Sequence, residues 1–194
     1  MFNRIQRAAT AAVTVLALAP WCVATAAPAL SSTKFGTPLA QDCYRAADDR
    51  LDLRAGLTVC NQALAEEIMR PRDRAATLVN RGILKLLMND ADGALADYNA
   101  GIAVAPELGD AWVNRGLWRM RRGNEDALAI ADITKGLALG SRDESAAYYG
   151  RGLAYESVGQ LTDAYHDYQR AAALNPKWTA PREELARFAV RKKE

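Results

Sequence analysis

The sequence predicts an all-α fold, a right-handed α-solenoid of antiparallel helix hairpins closed by a C-terminal capping helix. Three observations lead there. Half the residues are hydrophobic and a quarter are charged. Alanine and leucine dominate the apolar set while β-branched residues are sparse, which favours helix over strand. No segment alternates with the period of two that a half-buried strand needs. Finally, the chain repeats itself. Val79-Asn80-Arg81-Gly82 recurs 34 residues later as Val113-Asn114-Arg115-Gly116, and again, blurred, as Tyr149-Gly150-Arg151-Gly152.

The N-terminal segment reads differently from the rest. Arg4 and Arg7 precede an uncharged run, Ala8–Ala19, which Pro20 ends, and Ala24-Thr25-Ala26 follows. A basic start, a short apolar centre and a small-residue exit predict a signal peptide over residues 1–26. The mature protein is then expected in the periplasm or outside the cell, with no stable membrane insertion. Removing Arg4 and Arg7 cancels the formal charge of +2. A near-neutral chain gives no argument for nucleic acid or an anionic membrane. Residues 27–37, rich in Pro, Ser, Thr and Gly, read as a flexible lead-in.

Residues 38–74 read as a degenerate first hairpin, with one helix holding Cys43 to Arg50 and a second over about Leu53–Met69. Leu57–Leu64 aligns with Leu95–Ile102, which sets Cys60 against Tyr98. Facing residues of an antiparallel hairpin share a constant sum of numbers. Cys43 and Cys60 are centred near Leu51-Asp52, where the turn belongs, so they are expected to face each other. An even cysteine pair in an exported chain predicts a disulfide.

The units 75–108 and 145–178 share their spacing. Counted from Gly82 or Gly152, an alanine follows at 12 (Ala94, Ala164), a tyrosine at 16 (Tyr98, Tyr168) and a proline at 24 (Pro106, Pro176). The unit between them, 109–144, drifts by one residue and replaces the closing proline with Gly140-Ser141. Each unit reads as helix A, tight turn, helix B. Such a hairpin cannot bury its apolar stripe alone, but a stack of hairpins can. Residues 179–194 then fit a capping helix, with Pro181 in its first turn, acids early, bases late, and Leu185, Phe188 and Ala189 at helical spacing.

These positions resemble the tetratricopeptide repeat family. Trp112 and Tyr148 stand at its first large position, Gly82, Gly116 and Gly152 at its glycine, Tyr155 at its helix-A tyrosine, Ala94 and Ala164 at its alanine. Tyr98 and Tyr168 stand at the aromatic expected to pack toward the next unit, and Pro106 and Pro176 at its proline. The resemblance implies a concave face, made by the A helices, that binds an extended peptide or a partner segment. Its groove positions fall on Val79, Asn80, Ile83 and Leu86, on Val113, Asn114, Leu117 and Arg121, and on Tyr149, Leu153 and Glu156. An asparagine there offers donor and acceptor together, suited to a peptide backbone. The family's clamp for a C-terminal carboxylate uses lysines and an arginine, and those places hold Val79, Ala146 and Gly150 here, which argues against a terminal carboxylate as ligand.

Arg81, Arg115 and Arg151 precede the three glycines, and Asp97, Asp132 and Asp167 recur in register in helix B. They are expected to form a ladder of ion pairs. The one histidine, His166, sits beside Asp163 and Asp167, but no nucleophile accompanies it, and it reads as a solvent-facing helix residue. No catalytic constellation, metal-binding spacing or cofactor motif emerges. The expected function is that of a non-catalytic protein-interaction module, an adaptor or assembly factor. The alternative is a self-associating envelope scaffold, a homodimer included, using an apolar face around Trp118.

Overall fold

The computed structural model describes residues 37–188. The predicted signal peptide, all but the last residue of the lead-in, and the basic tail at 191–193 lie outside the described residues. Within them the chain forms nine helices and no strand. Helix α1 spans Pro38–Asp49, α2 Leu53–Glu66, α3 Pro71–Leu87, α4 Ala91–Val104 and α5 Gly109–Arg122. They are followed by α6 Asp126–Ala138, α7 Glu144–Ser157, α8 Leu161–Leu174 and a short α9, Ala180–Ala186.

Local chemistry sets these boundaries. Pro38, Pro71 and Pro181 open their helices, where a missing N–H costs nothing. Asp52, Asp90 and Asp143 each accept a backbone N–H three residues on, at 2.9–3.0 Å, as N-caps do. Helix α1 is capped from outside. Glu67, just past α2, accepts the N–H of Leu39 and of Ala40 and the hydroxyl of Thr37. A carboxylate there meets the positive end of the helix dipole. Each of the four hairpin turns contains one left-handed residue: Arg50, Asn89, Gly123 and Gly159.

The four hairpins α1–α2, α3–α4, α5–α6 and α7–α8 stack in chain order. The glycines of the repeat explain how closely each pair packs. A Cβ on Gly82 would lie 2.6 Å from the ring of Tyr98, and one on Gly152 2.7 Å from that of Tyr168. Each ring therefore fills a notch in its own hairpin, rather than reaching only toward the next unit; Tyr168 alone also meets Phe188 beyond α8, at 6.0 Å between ring centroids. In α5–α6 the residue after the aspartate is Ile133, not tyrosine. Lacking the ring, the helices close further, and a Cβ on Gly116 would meet the Ala129 carbonyl oxygen at 3.0 Å. In the first hairpin Cys43 and Cys60 are fully buried beside Leu84, their Cα atoms 4.8 Å apart and their sulfurs at bonding distance.

The missing proline of 109–144 is compensated by a folded link. Gly140 adopts φ +77°, a region that favours glycine. Ser141 then donates its hydroxyl to Asp110, 2.8 Å away, and the Arg142 backbone N–H donates to the same oxygen at 2.9 Å. The capping helix is shorter than the sequence suggests: α9 ends at Ala186. Arg187 turns out of it to pair with Glu184 and with Glu156 of α7, which ties the cap to the last repeat.

Candidate functional site

Successive A helices, α1, α3, α5 and α7, pack on one another, whereas each B helix packs mainly on A helices. The A layer is therefore the tighter, inner face of the curved stack, where the groove was expected. A polar seam runs behind it. Arg81 grips Asp97 through two parallel hydrogen bonds, at 2.9 and 2.6 Å. Arg115 does the same to Asp132 at 2.7 and 2.8 Å, and Arg151 to Asp167 at 2.7 and 2.8 Å. The fork geometry and the burial of the three aspartates make these strong, charge-assisted pairs. Each guanidinium spends its remaining nitrogen on the preceding B helix. The acceptor is Asn61, Asn99 or Thr134, a neutral group and not an acid. Every arginine thus ties its own hairpin to the one before it. Lys85 and Arg119 add a second cation to Asp97 and Asp132. In the last unit Tyr155 takes that place, its ring 5.6 Å from the Arg151 guanidinium. The hydrogen bonds it donates to Asp167 hold the Arg151 guanidinium above its ordinary range, against the effect of burial. These arginines are consumed by the fold and are not free to bind an anionic ligand.

The expected groove residues divide into three groups. Val79, Asn80 and Val113, expected on the groove surface, are buried instead. Val79 is closely approached by Gly101, and Val113 by Gly136, both of the same hairpin's helix B, so both valines fill hairpin interiors. Asn80 corresponds in the repeat to Gly150, whose missing side chain is replaced by Leu117 of the preceding A helix. Asn80 itself is 7% exposed.

Tyr149 and Glu156 form the second group, and the cap engages both. Tyr149 packs edge-on against Trp178 with ring centroids 4.7 Å apart. Burial and the Glu184 carboxylate both push its hydroxyl above the ordinary range. Glu156 accepts the Tyr168 hydroxyl at 2.8 Å and pairs with Arg187.

The third group is open or half-open. Ile83, Leu86, Leu117 and Leu153 are half-buried, and Arg121 is exposed. Asn114 donates its amide to the Asp110 carbonyl at 2.8 Å, which leaves its side-chain oxygen available. The open strip is thus concentrated on α3 and α5. The Arg142 guanidinium lies 3.2 Å from Asp110 and 5.0 Å from the centre of the Tyr44 ring of α1. Because α3 and α5 separate α1 from the link that carries Arg142, this contact crosses the inner face.

Trp118 does not provide the apolar surface that the scaffold reading invoked. It is 5% exposed, belongs to the main core cluster, and donates its indole N–H to the Ala91 carbonyl at 2.8 Å. His166 is exposed on α8. Among the described residues no three His, Cys, Asp or Glu side chains are grouped to hold a metal ion, and no helix is long and apolar enough to cross a membrane. Residue reading from the sequence overlooked the hydroxyl of Tyr98, taken only as a packing ring. The signal was present: at four residues past the glycine the repeats carry Leu86 in one unit and Glu156 in the other.

The family model of the tetratricopeptide repeat matches residues 145–177, which hold α7 and α8. Over that unit the chain is similar to a tetratricopeptide repeat. Its solved neighbours carry the same fold. The first tetratricopeptide domain of Spaghetti (RPAP3), solved bound to the HSP90 peptide SRMEEVD, is 27% identical, covers 59% of this chain and 92% of its own, and superposes with a TM-score of 0.54. The first such domain of human RPAP3 is similar at 28% identity, 60% and 89% coverage and a TM-score of 0.54. MamA from Desulfovibrio magneticus RS-1, at 19% identity, 77% and 82% coverage and a TM-score of 0.59, is similar in fold. No curated protein matches the chain in sequence.

Proposed function

We propose that this protein is a non-catalytic interaction module, which binds a peptide or partner segment along the inner face of α3 and α5 and serves as an adaptor or assembly factor. The observation that carries the reading is the open strip itself. Half-buried Ile83, Leu86 and Leu117 lie on the same two helices as exposed Arg121 and the unused side-chain oxygen of Asn114. An apolar trough with a few unsatisfied polar groups is the usual chemistry of a peptide site. The peptide seated on the RPAP3 neighbour supports it. A periplasmic or secreted location belongs to the same proposal, supported by the signal-like N-terminus and by two buried cysteines close enough to bond.

Photo-crosslinking in the producing cell tests the groove. A crosslinking residue at Leu86 is expected to trap a partner that the same residue at His166, on the outer layer, does not. Capture at both positions, or at neither, refutes this reading. Fractionation and N-terminal sequencing of the mature chain test the location.

A further inference from the structure

Units of a solenoid touch only their neighbours, and its curvature is the sum of small rotations from one unit to the next. One contact of this protein breaks that rule. Tyr44 belongs to α1 of the first hairpin, and Arg142 to the link between the third hairpin and the fourth. Their side chains meet with the guanidinium carbon 5.0 Å from the ring centre, within the range of a cation–π contact. The contact skips the second hairpin and stands as a chord across the arc of the inner face. Both ends are anchored. Asp110, at the start of α5, accepts the Ser141 hydroxyl at 2.8 Å, the Arg142 backbone N–H at 2.9 Å and Arg142 Nε at 3.2 Å. Ser141 is buried, and its own N–H donates to the Gly136 carbonyl at 3.2 Å. The backbone of Arg142 is thus pinned to α5. Tyr44 follows Cys43, which is fully buried in the first hairpin and at bonding distance from Cys60. The two side chains between these anchors are by contrast open to solvent, 66% exposed for Arg142 and 40% for Tyr44. Asn114 converges on the same anchor, donating its amide to the Asp110 carbonyl at 2.8 Å. The chord therefore starts beside the free side-chain oxygen of the open strip.

We propose that Tyr44 and Arg142 form a clasp that holds the stack in a closed curvature, and that the partner segment opens it on entering the groove. The inference rests on the groove reading above and adds a regulation to it. A cation–π contact between exposed side chains favours the closed form only about twofold to fivefold, which a bound segment easily outweighs. Only the open fraction accepts the partner, so the clasp lowers the apparent affinity by about the same factor.

The test is a distance measurement on the mature chain carrying spin labels at Asp48→Cys of α1 and Thr162→Cys of α8, both exposed positions outside the groove. Double electron–electron resonance is expected to give one narrow distance. Tyr44→Ala and Arg142→Ala are each expected to lengthen and broaden it, and the two together no further than either alone. Tyr44→Phe, which keeps the ring, is expected to leave it as in wild type. The partner reports the same opening. A crosslinking residue at Leu86 is expected to capture it in the producing cell about twofold to fivefold faster with Arg142→Ala. A distance unchanged by both single substitutions overturns the clasp, and so do effects that add. Unchanged or slower capture also overturns it and leaves the groove reading standing, slower capture marking Arg142 as a contact to the partner. No capture at Leu86 in any variant sinks both readings.

Discussion

The first hairpin and the three that follow solve one packing problem in two ways. In α3–α4 and α7–α8 a tyrosine ring lies in the notch of a glycine. In the first hairpin Cys60 stands at the place of Tyr98 and meets Cys43 across the interface, their Cα atoms 4.8 Å apart. The later hairpins are also sewn to their predecessors by Arg81, Arg115 and Arg151. The first has no predecessor among the described residues and no such arginine. It relies on the cysteine pair and on Glu67, which holds the start of α1. A terminal unit of a stack has one neighbour where an inner unit has two. What the inner units gain from neighbours, the first must supply within itself.

The largest expected effect falls on the inner seam. Asp132→Ala strands the partly buried Arg115, leaves Arg119 with Glu125 as its one acid, and is expected to cost about 3–5 kcal/mol in urea unfolding. Asp167→Ala strands only Arg151 and should cost clearly less. Equal losses would mean that the second cation contributes nothing. The next effect separates the two regions. Cys43→Ser with Cys60→Ser is expected to cost about 3 kcal/mol by the chain-entropy model, and the loss of hydrogen-exchange protection should be confined to α1 and α2. Thiol titration of the denatured, unreduced mature chain should find neither cysteine free. If protection falls equally in α7 and α8, the first hairpin is not separately held and the comparison breaks. A smaller effect tests the notches. Gly116→Ala drives a methyl against the Ala129 carbonyl and the Ile133 side chain and is expected to cost about 1–3 kcal/mol. Gly82→Ala first meets a side chain, the Tyr98 ring, where Gly116→Ala also meets backbone, and should cost less. The smallest effect compares two hydroxyls. Tyr168→Phe loses the bond to Glu156, about 1 kcal/mol, whereas Tyr98→Phe removes an unpaired group and should be near neutral. Thermal melts of the two variants decide it.

Much of the fold could be read before any coordinates. The fixed spacing from glycine to alanine to tyrosine to proline is a record of which residues must be small, which must fill the gap, and where a helix must stop. The Arg–Asp register could be read in the same way, because an acid recurs in step with each base. The groove was harder. Assigning Val79 and Val113 to it followed a positional carry-over, and that cannot see that Gly101 and Gly136 bring helix B close enough to bury them. Nor could spacing show that Tyr149 and Glu156 are taken by the cap, since that depends on where Trp178 and Arg187 land after the last repeat. Trp118 looked like a free apolar face because its partner, the Ala91 carbonyl, lies in the preceding hairpin.

The sequence by itself determined the unit: its length, its two helices, its notches and its recurring ion pair. Those depend on contacts within about one repeat, and residues a fixed number of positions apart report them directly. Tertiary structure alone decided which inner-face residues stay open. Whether Tyr98 finds an acceptor, whether Glu156 is free, and whether Arg142 reaches across to Tyr44 depend on how separate hairpins curve against one another. That curvature is set by the sum of small packing differences between units, and no single spacing records it.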